Sequence, residues 1–172
     1  MIVFDLETTG LPKAEGSDLE QQPQIIELGA IKLDDDLNEV DRIEFFCNPG
    51  RPLPPIITKI TGIKDDQLKD EKPFVAHFPE VCEFFLGERE MCAHNLAFDR
   101  KILRFELERL DKMTKFPWPP KHICTVEIGQ SVWGKRRKLV DLYEVHKVAH
   151  RATADVEALI EVFKWFRKEG HA

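Results

Sequence analysis

Apolar residues open the chain as a short β-prone run, Ile2-Val3-Phe4 with Leu6, which stops at Thr8-Thr9-Gly10-Leu11-Pro12. Residues 1–7 therefore predict a strand that ends in a turn. A polar stretch from Lys13 to Gln24, containing Gly16 and Pro23, leads into Ile25-Ile26-Glu27-Leu28-Gly29-Ala30-Ile31-Lys32-Leu33. The second half of that run alternates as a half-buried strand does. Asp34-Asp35-Asp36 and Asn38 form a polar turn, and Val40 to Cys47 is a third β-prone run closed by Pro49-Gly50. A three-stranded antiparallel meander is the expected beginning of the fold.

Beyond the Pro-rich segment at 52–55 the period changes. Phe74 to Leu86 carries apolar residues at helical spacing, Met91-Cys92-Ala93 predicts a short strand, and Ala97 to Leu110 is amphipathic and rich in helix formers. Phe116 to Pro120 interrupts the chain, His122 to Val126 predicts a last short strand, and helical patterns run over 138–148 and 153–167. No repeat or low-complexity segment is present. A meander followed by alternating strands and helices predicts an α/β fold, with a mixed sheet flanked by helices.

Composition refines this picture. The 172 residues, 42% of them hydrophobic, suffice for one core, so a single domain over 1–172 is expected. The formal net charge of -6 argues against a partner as negative as nucleic acid, unless a cluster of acids holds divalent cations that reverse the local sign. Cys47, Cys82, Cys92 and Cys124 form no C-x-x-C pair, which suits free thiols in a reducing cytosol better than a disulfide framework or zinc site. No apolar run approaches the roughly 18 residues of a membrane helix, and Met1-Ile2-Val3-Phe4 reads as strand rather than leader. A soluble, cytoplasmic protein without a membrane partner is expected.

Candidate chemistry lies in three segments. Asp5 and Glu7, two residues apart on an apolar strand, project from one face of the sheet, where unpaired anions are costly to bury; an isolated D-x-E is equally a solvated strand edge. Asp99, in Ala93-His94-Asn95-Leu96-Ala97-Phe98-Asp99, falls in a first helical turn, as a third functional acid or as a partner of the helix dipole. Asp155 closes His150-Arg151-Ala152-Thr153-Ala154-Asp155 with the same two readings. Five helical residues turn roughly 140° beyond a full revolution, so His150 must precede the helix if both side chains share a site. Four converging carboxylates would repel one another unless two divalent cations neutralised them. With hard oxygen donors and no cysteine, Mg²⁺ or Mn²⁺ fits better than Zn²⁺. Neutral His150 suits proton abstraction from water, and phosphodiester hydrolysis is the matching reaction class.

The segments F-D-L-E-T-T-G, H-N-L-A-F-D and H-R-A-T-A-D, in this order and across nearly the whole chain, resemble the histidine branch of the DEDD exonuclease superfamily (DEDDh, DnaQ-like), which includes the proofreading epsilon subunit of bacterial DNA polymerase III. The tyrosine branch would place Tyr four residues before the last Asp, where Arg151 stands. The resemblance implies a ribonuclease H-like sheet of five strands and a two-metal 3′→5′ exonuclease acting on single-stranded DNA or RNA 3′ ends. It makes Asp5, Glu7 and Asp155 ligands of the tighter metal, with Asp5 shared by the second, Asp99 assisting through metal or water, and His150 the general base. It assigns Leu6, Thr8, Thr9 and Gly10 to the terminal nucleotide and Ile60-Thr61-Gly62-Ile63 to the terminal bases. His94, Asn95 and Phe98 match positions near the substrate, although His94 and Asn95 serve equally as helix caps and Phe98 as core.

Cys124-Thr125 departs from the Asp-Thr pair common in this family, and the segment before His150 is short. A polymerase or replication partner is implied, but the chain ends soon after its last helix, with no expected tether. A non-catalytic nucleic-acid-binding module is the alternative of another class, and it has no need to keep all four acids and the histidine. Lys135-Arg136-Arg137-Lys138 is the densest basic run, either a phosphate contact or a solvated surface. Trp118 and Trp133 are open between base stacking and anchoring.

Overall fold

The computed structural model describes residues 1–142 and 151–172. Its centre is a five-stranded mixed sheet in the order β3-β2-β1-β4-β5. Strands β1 (Ile2–Thr8), β2 (Ile25–Leu33) and β3 (Glu39–Phe46) form the antiparallel meander, while β4 (Glu90–Ala93) and β5 (Lys121–Cys124) join parallel to β1. The helices are α1 (Pro55–Thr61), α2 (Asp65–Leu68), α3 (Phe74–Phe85), α4 (Leu96–Arg109), α5 (Thr125–Trp133), α6 (Leu139–Leu142) and α7 (Ala152–Lys168).

The alternation along β1 assigns its two faces. Ile2, Phe4 and Leu6 enter a core with Val81, Phe85 and Leu103 from α3 and α4. Val3 points the other way, into a second core with Val156, Leu159, Ile160 and Phe163 of α7. Asp5 and Glu7 share the parity of Val3 and so lie on the α7 face. Buried positions on α7 recur at Ala152, Asp155, Val156, Leu159, Ile160 and Phe163, the three-to-four-residue spacing of one helix stripe. Because β1, β4 and β5 run parallel, their carboxyl ends share one edge, where β4 passes into α4 and β5 into α5. Ligands of open α/β sheets bind at such an edge.

Most expected elements are present within a residue or two. The strand expected over 122–126 is corrected: it ends at Cys124, and Thr125 and Val126 begin α5. The β-branched Thr125, Val126, Ile128 and Val132 bias a local reading toward strand, whereas the packing of Val126 and Gly129 follows helical spacing. Helices α1 and α2 also escape the hydrophobic pattern, being seven and four residues long. Pro55 at the first turn of α1 is a start signal, because its fixed φ and missing N–H suit that position. The helix expected over 138–148 is seen as α6, and its remainder lies outside the described residues.

Gly29 decides how closely α7 approaches the sheet. A Cβ placed there would sit 2.7 Å from the backbone N of Thr153 and 2.8 Å from the carbonyl carbon of Ala152, so only glycine lets the start of α7 lie against β2 opposite Asp5. We expect Gly29→Ala to destabilise the protein by about 1–3 kcal/mol through this backbone clash. Thermal denaturation checks it, and an unchanged midpoint would show that the approach is not tight.

Candidate active site

Asp5 and Glu7 are held on the second half of β1, and Asp155 comes from the first turn of α7. One carboxylate oxygen from each of these three residues lies within 4.8 Å of the other two. Asp99, from the first turn of α4, is 2% exposed. The backbone N–H of Leu6, beyond the paired part of β4, donates to the Asp99 carboxylate. The side chain of Leu6 is buried in the opposite core.

Burial is the first cause of the perturbed acidities here, and mutual repulsion adds to it. Asp5 is raised well above the carboxylate range by burial, with further contributions from Asp99, Glu7, Asp155 and Glu27. Glu7 is pushed up to about 8 by burial, then by Asp155, Glu27 and Asp99, with Arg151 opposing. Asp155 is raised to about 7 by burial and Glu27. Asp99 is raised by burial against the hydrogen bonds from its own N–H and that of Leu6. The Oδ1 atom of Asp155 is buried without a hydrogen-bond partner among the described residues. An orphaned carboxylate oxygen facing two further acids fits a divalent cation, so the donor set matches an oxygen-ligated metal centre.

A side chain missed in the sequence reading organises the α7 end of this centre. Glu27, buried opposite Glu7 in the β1–β2 register, accepts the backbone N–H of Ala152 at 3.1 Å and the Arg151 Nε at 2.9 Å. Arg151 Nη2 pairs with the same carboxylate at 2.9 Å, and its guanidinium lies 4.9 Å over the ring of Phe46. Thr153 donates to Glu44 of β3. The start of α7 is thus clamped by an acid that supplies the negative charge a helix N-terminus favours. The signal was present: Glu27 interrupts an otherwise apolar run.

The cleft beside the acids encloses about 660 Å³ and is lined by Asp5, Asp155, His94, Asn95 and the basic run at Arg136, Arg137 and Lys138. His94 Nε2 meets the carbonyl of Arg137 at 3.1 Å and therefore donates, leaving Nδ1 to accept the Thr125 hydroxyl at 3.0 Å. Burial lowers the His94 pKa, in keeping with this neutral tautomer. Asn95 precedes α4 in the left-handed conformation and makes no side-chain cap bond, which corrects the capping alternative; its Oδ1 accepts from Arg136 at 3.0 Å. Both residues tie the basic run to the carboxyl end of β4.

The remaining expected site residues are more scattered. The hydroxyl of Thr8 donates to the carbonyl of Gly10 at 2.8 Å, and that of buried Thr9 accepts from the N–H of Gln24 at 3.0 Å, so both shape the turn. Thr61 is buried and donates to the carbonyl of Ile57, Gly62 closes α1 at φ 74°, and Ile60 is exposed. None of these three lines the cleft that holds Asp5 and Asp155. Phe98 packs half-buried against the core. Trp118 packs edge-to-face on Phe116, and Trp133 stacks on Trp165, so both are anchors. His150 lies outside the described residues.

A model of the exonuclease family matches residues 2–163. The chain belongs to the exonuclease family. Relatives of this chain include the PolC-type DNA polymerase III of Bacillus subtilis, 34% identical over 163 residues, and that of Caldanaerobacter subterraneus subsp. tengcongensis, 32% identical over 168 residues. These alignments cover 91% and 94% of the chain but 11% of either polymerase. The 3′-5′ exonuclease DinG of B. subtilis is 29% identical over 169 residues, 94% of the chain and 17% of that protein. Among solved structures, an E. coli exonuclease I complex with single-stranded DNA superposes with a TM-score of 0.80 at 18% identity, covering 98% of this chain and 40% of that one. The nuclease domain of 3′hExo, described as a DEDDh family member bound to rAMP, gives 0.76 at 18% identity, covering 98% and 92%. Those two likenesses establish the ribonuclease H-like fold.

Raised carboxyl pKa values tie stability to pH. Glu7 moves from an ordinary 4.5 to about 8 and Asp155 from 3.8 to about 7, so their contribution is fully present below about pH 4 and lost as pH rises through 7 to 8. The metal-free protein should therefore melt lower at pH 8 than at pH 5.5, with Mg²⁺ restoring the difference. Asp155→Asn should raise the metal-free melting temperature at pH 8 by at least about 2–4 °C and abolish the response to Mg²⁺. Scanning fluorimetry checks both, and a parent melting temperature indifferent to metal at pH 8 would contradict the site.

Proposed function

We propose that residues 1–172 form a single exonuclease domain that removes nucleotides one at a time from the 3′ end of single-stranded DNA and releases nucleoside 5′-monophosphates. The observation that carries this reading is the convergence of Asp5, Glu7 and Asp155, with buried Asp99 beside them, at the edge of a cleft lined by basic residues. Asp5, Glu7 and Asp155 would hold the tighter of two ions, Mg²⁺ or Mn²⁺, with Asp5 shared by the second and Asp99 assisting through metal or water. Bound there, the pair supplies charge stabilisation to the attacking and leaving oxygens of an in-line displacement.

The other residues position substrate and move protons. His150, five residues before Asp155 in H-R-A-T-A-D, takes the proton of the attacking water. Arg136, Arg137 and Lys138 draw phosphates into a cleft whose floor is acidic, which answers the objection from a net charge of -6. Leu6, Thr8, Thr9 and Gly10 hold the terminal nucleotide at the end of β1, with His94, Asn95 and Phe98 near it, and Ile60, Thr61 and Gly62 approach the terminal bases.

The polymerase relatives support DNA over RNA and a setting beside a replicative polymerase, where a 3′-end exonuclease serves proofreading. Four free cysteines support a cytoplasmic location, and no helix among the described residues is long and apolar enough to cross a membrane.

A 5′-labelled DNA oligonucleotide incubated with Mg²⁺ or Mn²⁺ should give a ladder of shortening products, absent in EDTA, and should be consumed ahead of an RNA of the same sequence in a mixed reaction. Asp5→Ala should reduce turnover to background with an unchanged circular dichroism spectrum. His150→Ala should lose about 10²–10⁴-fold in turnover while keeping the metal-induced rise in melting temperature. Preferential loss of the RNA would make the substrate RNA. No metal-dependent shortening of either strand would reject the reading.

A further inference from the structure

A second groove, of about 580 Å³, runs along the outer face of α4 and is walled on its other side by the loop that follows β1. Lys13 from the loop and Arg100, Lys101 and Arg104 from the helix line it, with Glu15 and Glu108 the acidic members of the wall. None of the four groove cations is paired with a described carboxylate within 4.0 Å, although Glu108 sits one helical turn beyond Arg104. In a chain of net charge -6, four unpaired cations converging from two separate segments leave a local positive field for an anion.

Two of the walls are fixed in place. The backbone N–H of Lys13 is held at 2.9 Å by Gln22 Oε1, and Gln22 also lines the groove. The Arg100 guanidinium lies 5.6 Å over the ring of Trp118. One wall of the groove is the loop that follows β1, the strand that carries Asp5 and Glu7. Ala97, Arg100, Lys101 and Arg104 put it on the face of α4 turned away from the buried Asp99, and Lys13 is shared with the smaller cavity lined by Thr9 and Gly10.

We propose that this groove binds the phosphodiester backbone of the substrate strand a few nucleotides inside the 3′ end being cut. The proposal rests on the exonuclease reading for the identity of the strand, but its central test is binding and needs no turnover. It divides the work between two basic surfaces: Arg136 to Lys138 serve the phosphates at the acids, and the α4 groove serves those further along the strand. The groove reads charge and spacing, not sequence.

The test compares the parent, Arg100→Glu/Arg104→Glu, and Lys13→Glu on the opposite wall. The charge control is Arg167→Glu/Lys168→Glu, at the far end of α7, about 18 Å along the helix from Asp155. Fluorescence anisotropy with a labelled 20-nucleotide DNA in EDTA should show affinity falling about tenfold or more for both groove variants, and less than twofold for the control. The slope of log affinity against log salt should shrink by about 1.4 for the double variant, the loss of two phosphate contacts on a single strand. With Mg²⁺, the KM for the 20-mer should rise about tenfold more than the KM for a nitrophenyl ester of thymidine 5′-monophosphate, which is too short to enter the groove. If the parent cleaves neither substrate, the proposed function fails while anisotropy still decides the groove. Equal affinity and salt slope in parent and groove variants, or equal losses in the groove variants and the control, would overturn the proposal.

Discussion

Asp5, Glu7, Asp99 and Asp155 bring four carboxyl groups together in a largely buried region, and burial outweighs mutual repulsion as the cause of their raised pKa values. A fold that gathers such groups without counter-charge gives up stability wherever they must ionise. Divalent cations reverse that sign, because each carboxylate then gains a partner that hydrogen bonds cannot replace. The destabilised metal-free centre and the ability to hold metal are two aspects of one arrangement.

Much of the rest of the structure keeps that arrangement in register. Alternation along β1 sends Leu6 into one core and Asp5 and Glu7 to the other face. Gly29 removes the side chain that would hold α7 away, and Glu27 accepts the N–H at the helix start. Glu27 is itself a buried anion close to the centre, and Arg151 pairs with it, so the clamp adds less negative charge than an unpaired acid would. On the other side, Asp99 is oriented by the Leu6 N–H, at a point where β4 no longer pairs with β1. His94 and Asn95 then bind the basic run to the same edge, placing cations within reach of a substrate that the acids alone would repel.

The hydrophobic pattern revealed those elements whose side chains face one core with a clean period. Strands β1 to β3, helices α3 and α4, and helix α7 are of this kind. Helices α1 and α2 are too short to show a period, and α5 is written in β-branched residues whose helical state is decided by packing on α7. The acids were legible because three separated motifs carry them at fixed offsets. The Glu27–Arg151 clamp was not, since residues 124 positions apart in sequence meet through the β2–α7 approach alone. The same applies to the seating of Arg136 and Arg137 on Asn95 and His94. The hydroxyls of Thr8 and Thr61 satisfy backbone groups of their own turns and that of Thr9 accepts the N–H of Gln24 fifteen residues on, contacts that sequence spacing does not reveal.

The account depends on protonated carboxyls giving up protons when cations bind, and calorimetric titration of the parent protein with Mn²⁺ reads that directly. Repeated at pH 7 in buffers of different ionisation enthalpy, it should show about one proton or more released per chain, declining toward none above about pH 9. Binding without proton release at pH 7, or no binding of Mn²⁺ at all, would contradict the account.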